Sequence, residues 1–304
     1  YEYLAHVDVP SGYVVANGGE LQGRETRGER EVWTYRSRVA SWRMDFAIAT
    51  YGQLEFEGIS VFYLPGDSLG AVRLVRAARE AHRRYSDWFG ALERSVALTI
   101  IEVPDGFGSQ KDATTILQTA SAFRDSSQLR QMYHEVAHGW TPLAPGLSPR
   151  VEEGLATFLE YRLADEIDGA DHRAAALART MADLHEWFEA RPEFATVPMA
   201  SYGERGWSSL SYSVGFLMYA VLYEVVGRER FDRFVGAYYR CCHESGAGTE
   251  RLGREIERAG GPVAHEIARD WLWSTNWWPM VRDGWSFERI VAHYEENSST
   301  SGGD

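Results

Sequence analysis

The order of patterns along the chain predicts an α+β protein. β-favouring segments fill residues 1 to 63, a mixed segment follows, and from Ser126 onward the pattern is helical almost throughout. A length of 304 residues fits one large domain with a smaller attached piece.

The opening region carries YEYLAHVDV, GYVVAN, EVWTYRSRVAS, MDFAIATY and LEFEGISVFYL, divided by turn signals such as Pro10-Ser11-Gly12 and Asn17-Gly18-Gly19. These strands are expected to belong to an antiparallel sheet domain over 1–63. Next, Leu74, Val75, Ala78, Tyr85, Trp88 and Phe89 recur at helical spacing and predict a helix from Ala71 to Phe89. SVALTIIEV and ATTILQT read as two further strands. The low-complexity ending NSSTSGGD is expected to make 296–304 a disordered tail.

A formal net charge of -13 argues against nucleic acid or an anionic membrane as partner. No apolar run approaches the roughly twenty residues a membrane-spanning helix needs. The chain lacks an initiator Met and a leader pattern, so it is expected to be part of a longer polypeptide. Its compartment stays open between cytoplasmic and extracytoplasmic. Cys241 and Cys242 are adjacent, a spacing that strains a bridge, and are expected to be unbridged apolar residues of the helical pattern FDRFVGAYYRCC.

The chemistry gathers at "MYHEVAHGW", residues 132 to 140. Leu129, Met132, Tyr133, Val136, Ala137 and Trp140 define an amphipathic helix, with Ser126 and Ser127 as capping hydroxyls and Gly139 and Pro142 at its end. His134 and His138, four apart, project from one face and can reach one metal ion. Glu135 lies beside them, able to act on a water without being a ligand. A catalytic zinc site wants a third protein ligand. Downstream, "SPRVEEGLATFLEY" starts a helix at Ser148-Pro149, with Glu152 and Glu153 in its first turn, where the helix dipole favours carboxylates.

H-E-x-x-H followed by a helix bearing E-G-x-A resembles the gluzincins, and most closely the aminopeptidase N and leukotriene A4 hydrolase family. The resemblance makes Glu153 the third ligand of one zinc ion and Glu160 a supporting carboxylate behind the site. Fourteen residues separate His138 from Glu153, against about eighteen in the family. A loop shortened by four accounts for this, with Glu152 as fallback ligand. "SYSVGFLMYAVLYEVVG" is similar to the family's Y-x-x-G segment and selects Tyr212 as the catalytic tyrosine, with Gly215 in register. "IARDWLWSTNWWPMV" is similar to its last catalytic helix. The resemblance implies a thermolysin-like catalytic domain over 64–295, a small mixed sheet plus a mostly helical lobe, preceded by the C-terminal part of the antiparallel β domain.

The activity so implied is zinc-dependent hydrolysis of peptide bonds by attack of a zinc-bound water. Glu135 is the general base and the Tyr212 hydroxyl stabilises the oxyanion. Relatives hold the substrate's free amine with the acid of a G-x-M-E-N loop. Here the corresponding letters are Gly108-Ser109-Gln110-Lys111-Asp112, so a cation, Lys111, stands where the acid would be. Lys111 is the only lysine in the chain. The expected substrate-binding residues are Gly108, Lys111 and Asp112, with free-amine recognition weakened. The alternatives are a non-catalytic zinc-binding scaffold of the same fold and a related hydrolase acting on something other than ordinary peptides.

Overall fold

Seven strands precede residue 64: β1 (Leu4–Pro10), β2 (Val14–Asn17), β3 (Glu20–Arg27), β4 (Arg30–Arg36), β5 (Phe46–Ala49), β6 (Gly52–Phe56) and β7 (Ile59–Tyr63). Three more follow a long helix, α1 (Ser68–Phe89): β8 (Leu98–Val103), β9 (Gln110–Lys111) and β10 (Thr115–Thr119). The structure, a computed structural model, describes residues 1–93, 97–142, 148–246 and 248–300. Its contacts divide it into one unit of Tyr1–Arg83 with Leu92–Gly139 and a second of Arg84–Ala91 with Trp140–Asp304. The first two residues of the expected strand SVALTIIEV, and 301–304 of the expected tail, lie outside the described residues; 296–300 of that tail are helical.

In the first unit, β1, β4 and β3 form an antiparallel sheet in that order, and β2 pairs with β5. Trp33 and Tyr35 of β4 pack with Val9 and Val15 in a small core. The strand β3 was absent from the sequence expectation. Its residues ELQGRETR are all exposed, so no apolar alternation marks it; a polar strand at a sheet edge also resists unwanted pairing. The segment LEFEGISVFYL folds into the hairpin β6–β7, turning at Glu57 and Gly58 with φ of 45° and 83°, both positive as a two-residue turn of this twist requires. This hairpin joins a five-stranded mixed sheet ordered β6-β7-β8-β10-β9, parallel at β7–β8 and β8–β10 and antiparallel at either end.

That sheet contains a buried acid. Glu102 on β8 is wholly buried and accepts from the Leu64 N–H at 2.7 Å. Burial pushes its carboxyl up to about 7, and the neighbouring Asp67 adds to the rise. With the folded value above the ordinary 4.5, the group's contribution to stability is fully present below 4.5 and is lost as pH rises through about 7. Glu102→Gln keeps an acceptor for Leu64 and cannot ionise. It is expected to stabilise the protein at pH 8 by on the order of 1 kcal/mol, and to do so less at pH 5. Urea melts at the two pH values check this; parallel pH dependence in both proteins would refute it.

The remaining helices are α2 (Ala120–Arg124), α3 (Arg130–Ala137), α4 (Val151–Asp168), α5 (His172–Ala190), α6 (Tyr202–Arg205), α7 (Leu210–Val226), α8 (Arg228–Cys242), α9 (Thr249–Gly260), α10 (Pro262–Ala268), α11 (Trp278–Arg282) and α12 (Phe287–Thr300). Strands early and helices late give the expected α+β class. In the second unit α4 and α7 cross in backbone contact: a Cβ on Gly154 would lie 2.6 Å from Gly215 Cα. Arg162 of α4, 3% exposed, holds Asp232 of α8 through two bonds of 2.5 and 2.9 Å and stacks on Trp88 at 3.9 Å. A buried cation is tolerated because it is paired and covered. The tryptophan-rich segment folds inward, with Trp271 and Trp277 stacked at 5.1 Å.

The expectation for the two cysteines is corrected. Cys241 and Cys242 form a disulfide with each other. They are the last two residues of α8, at the helix end rather than in its interior. No helix among the described residues is long and apolar enough to cross a membrane.

Candidate metal centre

Local sequence sets the histidine pair. Asp125, and neither of the serines expected to do so, caps this stretch: its carboxylate accepts from the Ser127 N–H at 2.9 Å and the Ser127 hydroxyl at 2.8 Å. A carboxylate is the stronger acceptor and suits a helix N-terminus. After one 3₁₀ turn, α3 buries Met132, Tyr133, Val136 and Ala137. Its other face carries His134 and His138, rings 4.9 Å apart between centroids and both half-buried. Glu135 between them is 5% exposed.

The second acidic element starts later than Ser148-Pro149. Helix α4 begins at Val151, and Arg150 before it takes the left-handed conformation, φ 58° and ψ 42°. The Ser148 hydroxyl acts on this preceding turn, accepting from the Arg150 N–H at 2.9 Å. Glu152 and Glu153 are each 3% exposed. Glu152 Oε2 makes no hydrogen bond among the described residues, and burial pushes this carboxyl up to about 7.

His134, His138 and Glu153 each offer one ligand atom, and these atoms lie within 4.8 Å of one another. Glu152 is not in that group. Two imidazoles and a carboxylate are a donor set that suits a borderline-soft divalent ion such as zinc and leaves a coordination position open. The residues therefore fit the metal that the sequence led us to expect.

Tyr212 lies in the first turn of α7, half-buried, with the Arg150 guanidinium 5.7 Å from its ring centroid. Glu160 follows Glu153 by two turns of α4, half-buried on the same side of the helix. Of the expected substrate-binding residues, Lys111 is in the edge strand β9. Its ammonium donates to the Asp112 carbonyl at 3.3 Å and has no ion pair among the described residues. Burial pulls its pKa down, opposed by the carboxylates of Asp112 and Glu135. Asp112 is engaged by the Ser41 hydroxyl at 2.6 Å. Gly108 is exposed, at φ 72°.

Sequence reasoning missed two groups. The first is a set of bonds tying the β9 loop to α3: Gln118 donates to Ser109 at 2.7 Å and to Gln131 at 3.0 Å, and Ser109 donates to Gln131 at 3.1 Å. No periodicity marks such residues. The second is Arg150. Its signal was a cation placed directly before an acidic first turn, where the helix dipole disfavours positive charge.

No family model matches the chain. It is 25% identical over 227 residues to probable aminopeptidase 1 of Saccharolobus solfataricus, covering 69% of this chain and 29% of that protein. Among solved structures, the M1 zinc metallopeptidase of Deinococcus radiodurans matches with a TM-score of 0.66 and 20% identity, over 89% of this chain and 63% of that one. Native yeast LTA4 hydrolase matches with a TM-score of 0.70 and 17% identity, over 90% of this chain and 47% of that one. The chain thus spans less than a third of the curated relative and has the fold of these solved structures.

Proposed function

We propose that this chain is the catalytic region of a zinc metallopeptidase that hydrolyses peptide bonds, with His134, His138 and Glu153 as the ligands of one zinc ion. The observation that carries the reading is the convergence of those three ligand atoms within 4.8 Å. When bound, the ion supplies Lewis acidity that polarises the scissile carbonyl and acidifies the attacking water. Glu135 accepts the proton of that water and returns it to the departing amine nitrogen, so its carboxylate is restored each cycle. The Tyr212 hydroxyl donates a hydrogen bond to the carbonyl oxygen as charge develops there. Glu160 supports the Glu153 side of the site.

Lys111 sets the substrate preference. An ammonium without an ion pair among the described residues, in the electrostatic reach of Glu135, repels a substrate's own ammonium and accepts neutral or anionic groups. Gly108 and Asp112 shape the loop that carries it. Peptides with a blocked amino terminus are therefore expected to be cleaved at least as well as those with a free amine.

The test combines metal analysis of wild type and Glu153→Ala with hydrolysis of free-amine and N-acetylated peptides. One equivalent of zinc in wild type, its loss in the Ala variant, and hydrolysis by wild type alone are expected. Strict dependence on a free amine would overturn the role given to Lys111. Bound zinc without hydrolysis of either peptide would favour a scaffold, and absence of zinc affinity would end the reading.

A further inference from the structure

We propose that Arg150 is a positioning residue that holds the Glu153 carboxylate in its metal-ligating orientation; this rests on the zinc reading above. The Arg150 guanidinium is ion-paired with Glu153 through Nη2 and Oε1, and the same group lies over the Tyr212 ring. One side chain thus pairs with the candidate third ligand and faces the ring of the candidate oxyanion donor.

Two features make this pair unlike an ordinary ion pair three residues apart on a helix. Arg150 is not helical. Its φ of 58° is an unfavourable backbone region for a residue with a Cβ. Only one other non-glycine residue among those described has positive φ, Glu57, and the hairpin turn accounts for it. Arg150 instead stands at the N-cap of α4, a position most residues fill with extended backbone. In addition, its cation sits at the positive end of the α4 dipole, where a basic residue is disfavoured. Both costs are borne to place a guanidinium beside Glu153.

The surrounding chain fixes that placement. The Ser148 hydroxyl accepts from the Arg150 N–H at 2.9 Å, the Ser208 hydroxyl donates to the Ser148 carbonyl at 3.1 Å, and the Ser211 hydroxyl donates to the Pro149 carbonyl. Residues 148–150 are therefore fastened to the start of α7, immediately before Tyr212. Arginine and metal need not compete for Glu153. A carboxylate has two oxygens with about four acceptor positions. A Glu153 oxygen lies within 4.8 Å of the histidine ligand atoms while the Arg150 pair is formed. Partners behind a metal ligand in this way restrict its rotation and raise metal affinity.

Wild type, Arg150→Gly and Arg150→Lys are compared by chelator competition for zinc and by thermal unfolding of the metal-free proteins. Glycine adopts the left-handed region without penalty, so Arg150→Gly is expected to unfold at the same temperature as wild type or higher. Its zinc affinity is expected to fall about tenfold or more. Arg150→Lys, which keeps the charge, should recover at least part of that loss. Unchanged or tighter zinc binding in Arg150→Gly overturns the proposal, as does a Lys variant no tighter than Gly. A wild type without zinc affinity is a different outcome, since it removes the metallopeptidase reading itself.

Discussion

Glu135→Gln is expected to keep its zinc and to lose peptide hydrolysis by about a hundredfold to ten-thousandfold. The two halves of that result have separate causes. Glu135 is not one of the three groups whose ligand atoms converge, so the substitution leaves the donor set intact. Glutamine also has nearly the same volume, so a residue only 5% exposed can be replaced without a cavity. What disappears is the ability to take a proton from the attacking water. Metal analysis should therefore match wild type while turnover collapses. Activity within tenfold of wild type would mean that another group serves as base, and Glu135 would revert to a buried acid of the α3 face. Loss of zinc along with activity would mean that this carboxylate contributes to the metal site.

The α+β class and the histidine pair were legible because each rests on a short, regular signal. Apolar residues at helical spacing marked α3, and a four-residue interval fixed which face His134 and His138 share. Glu153 was legible only through its neighbours. Nothing in the chemistry of two adjacent glutamates separates it from Glu152, and the separation comes from which carboxylate approaches the imidazoles. The strand β3 escaped notice because it is exposed throughout and Leu21 is its one large apolar residue. Arg150 escaped for a different reason: its importance lies in a left-handed backbone conformation and in contacts to Glu153 and Tyr212, sixty-two residues from the latter along the chain. Local pattern cannot report either. The disulfide is not legible because adjacency in sequence does not say that the pair stands at the end of α8.

Gly154→Ala tests the framework that brings these residues together. By helix propensity alone, replacing glycine with alanine inside α4 should stabilise the protein by about 1 kcal/mol. The opposite sign is expected. A Cβ at position 154 would lie 2.6 Å from both Cα and the carbonyl carbon of Gly215 and 2.7 Å from the Ser211 carbonyl oxygen. All three are backbone atoms, so no side chain can rotate away, and α4 must separate from α7. Overpacking of this kind costs about 1–3 kcal/mol, and more when only backbone can yield. Gly215→Ala should be milder, because its Cβ would meet Gly154 Cα at 3.1 Å. Urea melts should rank wild type above Gly215→Ala and Gly215→Ala above Gly154→Ala. Since Glu153 precedes one glycine and Tyr212 stands three residues before the other, the Gly154 variant should also lose activity where it remains folded. Equal stability of all three proteins would mean that the helices are not in backbone contact. The glycines of E-G-x-A and Y-x-x-G would then need another explanation.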